Sequence, residues 1–167
     1  AVALVAEPAG ISVKGEIRLN GVPLKVDLRE NTPPVRGVNR TVKVAGRLDR
    51  ASVRALRFEW PQDIGGEVGV DATIVEAKNP LRTVDLALDL RSASVEIPEL
   101  VITKRRGEAG EASARIVQAN ERSLVIEGGR AEFAGWKAEG DANLRLDPVA
   151  PERIALRLQA NTCCGLT

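Results

Sequence analysis

An all-β fold is predicted for this chain, in the form of an elongated, curved, mostly antiparallel meander. Three observations predict it. First, apolar residues fall on every second position through most of the length, most clearly over Val84-Asp85-Leu86-Ala87-Leu88-Asp89-Leu90. A period of two is the pleat of a strand with one apolar and one solvated face. Second, turn residues punctuate that alternation, as at Asn20-Gly21 and Lys78-Asn79-Pro80. Third, no segment longer than two turns carries a helical period.

The elements follow in order. Ala1 to Ala6 reads as the end of a strand. Ile11, Val13, Gly15, Ile17 and Leu19 alternate with Ser12, Lys14, Glu16 and Arg18. Asn20-Gly21 is a hairpin turn, because both residues tolerate positive φ. The return strand sets Val22, Leu24, Val26 and Leu28 against Pro23, Lys25, Asp27 and Arg29. Glu30 to Arg40, with Asn31, Pro33, Pro34 and Gly37, reads as a surface loop. Strands resume at Thr41 to Leu48 and at Ser52 to Trp60. The latter changes phase between Val53 and Leu56, which reads as a bulge. Pro61 to Gly66 is a turn and Glu67 to Glu76 a strand. The central strand follows from Val84 to Leu90, then a second apolar alternation from Val95 to Ile97. Lys104 to Gly110 reads as a polar, basic loop. Further strands are expected at Glu111 to Gln118, Ser123 to Glu127, Arg130 to Phe133, Trp136 to Leu146 and Arg153 to Gln159, with Gly128-Gly129 as a second hairpin turn. Residues 1–160 form one segment and 161–167 a tail. A weak internal repeat sets glycine in mid-strand between apolar neighbours at Gly15, Gly46 and Gly140.

Composition narrows the function classes. The net charge of +1 lacks the basic excess of a nucleic-acid binder, so no nucleic-acid partner is expected. No apolar run approaches the roughly 20 residues of a transmembrane helix. A membrane β-barrel would carry aromatic girdles, and this chain holds only Phe58, Phe133, Trp60 and Trp136, with no Tyr. Without His, the Ser-His-Asp and Cys-His mechanisms are absent. The pairs Glu67 with Asp71 and Asp85 with Asp89 fall on wet strand faces, and Gly107-Glu108-Ala109-Gly110 lacks the Gly-Lys-Ser/Thr ending of a phosphate loop. Cys163 and Cys164 are adjacent and lack further metal ligands. No catalytic residue, metal site or cofactor is therefore expected. Lys104-Arg105-Arg106 reads as a solvated turn, with contact to anionic headgroups as the alternative.

The apolar faces are the main signal. Ile11, Val13, Ile17, Leu19, Val22, Leu24, Val26 and Leu28 make one aliphatic stripe. Val42, Val44, Leu48, Leu56 and Phe58 extend it, as do Val68, Val70, Ile74, Val84, Leu86, Leu88, Leu90, Val95 and Ile97. Ile116, Leu124, Ile126, Phe133, Leu144, Leu146, Ile154, Leu156 and Leu158 complete it. Two such sheets can close on each other as a β-sandwich, a scaffold for envelope protein partners without lipid cargo. One sheet can instead curl and keep its inner face open for acyl chains. Periodicity alone serves both.

The central stretch adds a resemblance. Leu86-Ala87-Leu88-Asp89-Leu90 leads through Val95-Glu96-Ile97-Pro98-Glu99-Leu100 to Lys104 and Gly107-Glu108-Ala109-Gly110. Leu124-Val125-Ile126-Glu127-Gly128 and Gly135-Trp136-Lys137-Ala138-Glu139-Gly140 follow. This order resembles the AsmA-like proteins of the bacterial envelope, especially the long YhdP-like and TamB-like members. It departs from them at Leu100 and Ile102, where an aromatic is usual, and at Arg105, where proline is frequent. The resemblance implies a repeating β-groove lined by the apolar residues above, with phospholipids as partners. It implies a segment of a bridge-like lipid carrier in the periplasm, held to the inner membrane by a segment outside this chain, with flanking segments reaching the bacterial membranes.

Overall fold

The computed structural model describes residues 2–146 and 149–160. The tail with Cys163 and Cys164 lies outside the described residues. The strands are β1 (Val2–Glu7), β2 (Gly10–Leu19), β3 (Val22–Val35), β4 (Val38–Asp49), β5 (Ile64–Ala77), β6 (Arg82–Asp89), β7 (Ala93–Ile97), β8 (Ile102–Lys104), β9 (Gly110–Asn120), β10 (Ser123–Phe133), β11 (Trp136–Leu146) and β12 (Val149–Ala160). One short helix, α1 (Arg50–Ala55), follows β4. The sheet runs β1-β2-β3-β4-β5-β6-β9-β10-β11-β12, with β7 and β8 as a side hairpin on the start of β5. Every pairing is antiparallel. The chain is thus an all-β, open antiparallel meander, as the alternation predicts. Among the described residues the sheet stays open and closes into neither a barrel nor a sandwich.

Three two-residue turns share one backbone solution. Asn20-Gly21, Arg36-Gly37 and Ala134-Gly135 each place two consecutive residues at positive φ (50° and 87°, 51° and 80°, 50° and 76°). Two positive φ values match the right-handed twist of the flanking strands. Asn20-Gly21 is legible in sequence. The other two are not, because Arg and Ala rarely adopt that conformation.

Four expectations are corrected. The stretch from Ser52 to Trp60 is not a strand. Asp49 accepts hydrogen bonds from the Ser52 backbone N–H (2.8 Å) and hydroxyl (2.7 Å), capping α1. The spacing of Val53 and Leu56 that reads as a bulge is the three-residue step of a helix turn. Glu30 to Arg40 is not a loop either. β3 runs on to Val35 and β4 begins at Val38, while the prolines occupy an interruption of pairing between Glu30 and Val35. Gly128-Gly129 is a bulge inside one continuous strand, β10. Asp141 Oδ1 accepts the Gly128 N–H at 2.7 Å, which closes the bulge. Lys104 is not solvated. It is 1% exposed, and its ammonium donates to the carbonyls of Ala93 (2.9 Å) and Arg105 (3.2 Å).

Burial is concentrated at one end of the sheet. Val68, Leu90 and Ala93 form a cluster, with Trp60, Ile64, Val70, Leu88, Ala112 and Phe133 packed on it. The β7–β8 hairpin supplies Ala93, Val95 and Ile102 to this end. The helix buries Val53, and its Ala55 carbonyl accepts from Asn20 Nδ2 at 2.9 Å, which ties α1 to the β2–β3 turn. The rest of the sheet is a single layer. The accessible surface is 11839 Å², against about 8000 Å² for a compact monomer of this mass.

Three outcomes follow for stability. Leu90→Ala should cost about 2–4 kcal/mol in urea unfolding, because its site is enclosed. Ile154→Ala, at a position 65% exposed, should change stability by no more than about 0.5 kcal/mol. Asp49→Ala should lower stability at neutral pH. Its hydrogen bonds from Ser52 hold the Asp49 carboxyl below the usual carboxylate range. A depressed folded value stabilises above the unfolded value and is lost as pH falls through the folded one. The gap between wild type and Asp49→Ala should therefore be full at pH 6 and close as pH drops below about 4, measured by denaturation at each pH.

Candidate functional site

In a register-matched antiparallel sheet, residues directly opposite one another share a face. Pairing therefore sorts the apolar residues into rows that cross the sheet. Val13, Leu28, Val42, Ile74, Val84, Ile116, Ile126, Ala142 and Ile154 form one row from β2 to β12, and Leu4 adds β1. Gly15, Val26, Val44, Ala72, Leu86 and Ala114 form the next. Ile17, Leu24, Gly46, Val70, Leu88, Ala112, Ala131, Ala138 and Leu158 form a third.

The bulge keeps this face apolar. Before it the apolar positions on β10 are Leu124 and Ile126; after it they are Ala131 and Phe133. One extra residue shifts the phase, so the two halves of β10 present the same face. Two mid-strand glycines let backbones and side chains approach. A Cβ on Gly140 would stand 2.4 Å from the Ala155 carbonyl oxygen, and one on Gly46 would stand 2.7 Å from Leu24 Cδ2. Two of the three glycines of the repeat read from sequence, Gly46 and Gly140, therefore mark points of close approach.

Most of the sequence-predicted residues are gathered here. Ile11, Leu19, Val22, Leu48, Val68, Leu144, Leu146 and Leu156 share the face with the rows above, by strand alternation and register. Val95 and Ile97 do not join them. They lie on β7, in the side hairpin. Leu90 is enclosed in the cluster under that hairpin. Leu56 ends the helix, and Phe58 is 71% exposed beyond it.

Sequence reading missed a charged row on this same face. Glu30, Arg40, Glu76, Arg82 and Gln118 stand opposite one another on β3, β4, β5, β6 and β9. Arg40 donates to Glu30 from Nε (3.3 Å) and Nη2 (3.1 Å), and to Glu76 from Nη1 (3.3 Å). Arg82 Nη2 donates to the other oxygen of Glu76 at 3.0 Å. The side chains are 28–51% exposed. Strand parity was the available signal, since Glu30 continues Leu28 and Arg40 precedes Val42 at a step of two, and Glu76 follows Ile74 likewise. The apolar positions from Val42 to Leu48 run about 20 Å along β4 from this row toward the covered end.

The opposite face is solvated. Its charges pair across strands at Lys14–Asp27 (3.5 Å), Arg115–Asp85 (3.2 Å), Lys137–Glu132 (3.1 Å) and Arg47–Glu67 (2.9 Å). Asp85 and Glu67, weighed above as carboxylate pairs, are thus each engaged by a guanidinium. Contact with Glu67 also holds the Arg47 pKa up. A hollow of about 1190 Å³ near the covered end is lined by residues of both faces, Glu16, Lys25, Arg47, Asp71 and Asp89 of this one and Leu24, Gly46, Val70 and Leu88 of the apolar one.

Comparison with known protein families, with curated proteins and with solved structures finds no match to this chain.

Proposed function

We propose that this chain is a segment of an AsmA-like, bridge-like lipid carrier. Its apolar sheet face shields phospholipid acyl chains on their way between the inner and outer membranes of a bacterial envelope. The observation that carries this reading is the set of continuous apolar rows on a face without a second layer. Soluble monomers rarely leave more than a few hundred Å² of contiguous apolar surface uncovered. The apolar length of about 20 Å accommodates the acyl chains of one leaflet, about 15 Å or half of a hydrocarbon core.

The mechanism is passive. Aliphatic side chains replace water around each acyl chain, which contributes roughly 0.8 kcal/mol per buried CH₂. Val, Leu, Ile and Ala give a lining without directional contacts, so a chain can slide from one row to the next. In this reading the protein is not an enzyme. It works in the periplasm, and segments outside this chain hold it to the inner membrane.

Native mass spectrometry of protein purified from bacterial membranes, with solvent extraction, tests the reading. Bound phospholipid is expected. Val26→Asp and Leu88→Asp, in the middle of the apolar rows, should reduce it at least about tenfold, since a carboxylate among acyl chains costs over 2 kcal/mol. Lys43→Ser, on the solvated face, should leave it unchanged. A folded protein with a clean apo mass would sink the lipid reading and favour a scaffold for protein partners without lipid cargo.

A further inference from the structure

We infer that the Glu30–Arg40–Glu76–Arg82 row is the headgroup contact of the apolar face, and that it selects zwitterionic over anionic phospholipid. This inference rests on the lipid reading above.

Position comes first. The row lies on the same face as the apolar rows and next to Leu28, Val42, Ile74 and Val84, two residues further along each strand. It lies at the end away from the β7–β8 cover. A phospholipid whose tails lie along the strands, with their ends toward the cover, brings its headgroup to this row.

Charge decides the class of headgroup. The row reads acid, base, acid, base, and sums to zero. Adjacent strands are about 4.8 Å apart, so each charge has a neighbour of opposite sign one strand away. The phosphate and ammonium of a phosphoethanolamine group, separated by two methylene carbons, match such a pair. A guanidinium fork suits the phosphate, and a carboxylate accepts from the ammonium. An anionic headgroup gains the first contact, but it faces Glu30 and Glu76 with no cation of its own. The ion pairs themselves are partly exposed and contribute little to stability, so they open to a ligand at low cost. Arg82 gives Glu76 one N–H, from Nη2, which leaves its remaining N–H groups outside that bond.

The test is a competition. Purified protein is incubated with vesicles of equal phosphatidylethanolamine and phosphatidylglycerol, re-isolated, and its lipid identified by mass spectrometry. Phosphatidylethanolamine should be enriched about fivefold, the ratio for one favourable charge contact near a lipid surface. Glu30→Gln with Glu76→Gln gives the row two net positive charges and should reverse the preference. Arg82→Gln leaves one net negative charge, removes neither acid, and should lower phosphatidylglycerol further. Lipid captured in the vesicle ratio, or enriched in phosphatidylglycerol by the wild type, would overturn the headgroup inference and leave the lipid reading standing. No capture by protein with an intact β-sheet circular dichroism signal would overturn both.

Discussion

The antiparallel hydrogen-bond ladder is the constraint on which the rest of this structure depends. Most folds hold their strands in place by pressing two layers together. Here most of the sheet has one layer, so register is set by backbone pairing and by short turns. A slip of one residue at any strand would send that strand's aliphatic side chains to the solvated face. The rows from β2 to β12 exist only because each pairing keeps its register, and the Asp141-closed bulge restores it where β10 gains a residue.

The two ends of the apolar face are built differently. At one end the β7–β8 hairpin and Trp60 lie against Val68 and Leu90, which gives the molecule its enclosed core. Lys104 belongs to this end. Its stem passes close to Gly110, where a Cβ would meet Lys104 Cε at 2.6 Å, and its ammonium finds two carbonyls. At the other end, on β3 to β6, the face stops at charges that neutralise one another in sequence across these strands. The apolar band is therefore bounded along β3 to β6 and continuous across the sheet. That geometry suits a ligand with one polar end and long apolar tails.

Alternation made the strands legible, because a half-buried sheet imposes its period on every residue. Val84 to Leu90 and Glu67 to Glu76 fall within a residue or two of β6 and the paired part of β5. The hairpin at Asn20-Gly21 was legible for the same kind of reason, a residue pair suited to positive φ. Local chemistry misled where a residue serves a role unusual for its type. Arg36 and Ala134 sit at positive φ, the prolines of β3 sit where pairing lapses, and Asp49 caps a helix of six residues whose apolar spacing mimics a broken strand.

By itself, the sequence determined that the chain makes amphipathic antiparallel strands and which side chains share a face within each of them. Period two is a local property, and residues two apart suffice to state it. Tertiary structure alone decided that the faces line up across the sheet into rows and that the β7–β8 hairpin leaves the sheet path to cover one end. It also decided that Glu30, Arg40, Glu76 and Arg82 meet. These residues are up to 36 positions apart along the chain where they bond. Their meeting is set by strand order and register, and no local pattern encodes either.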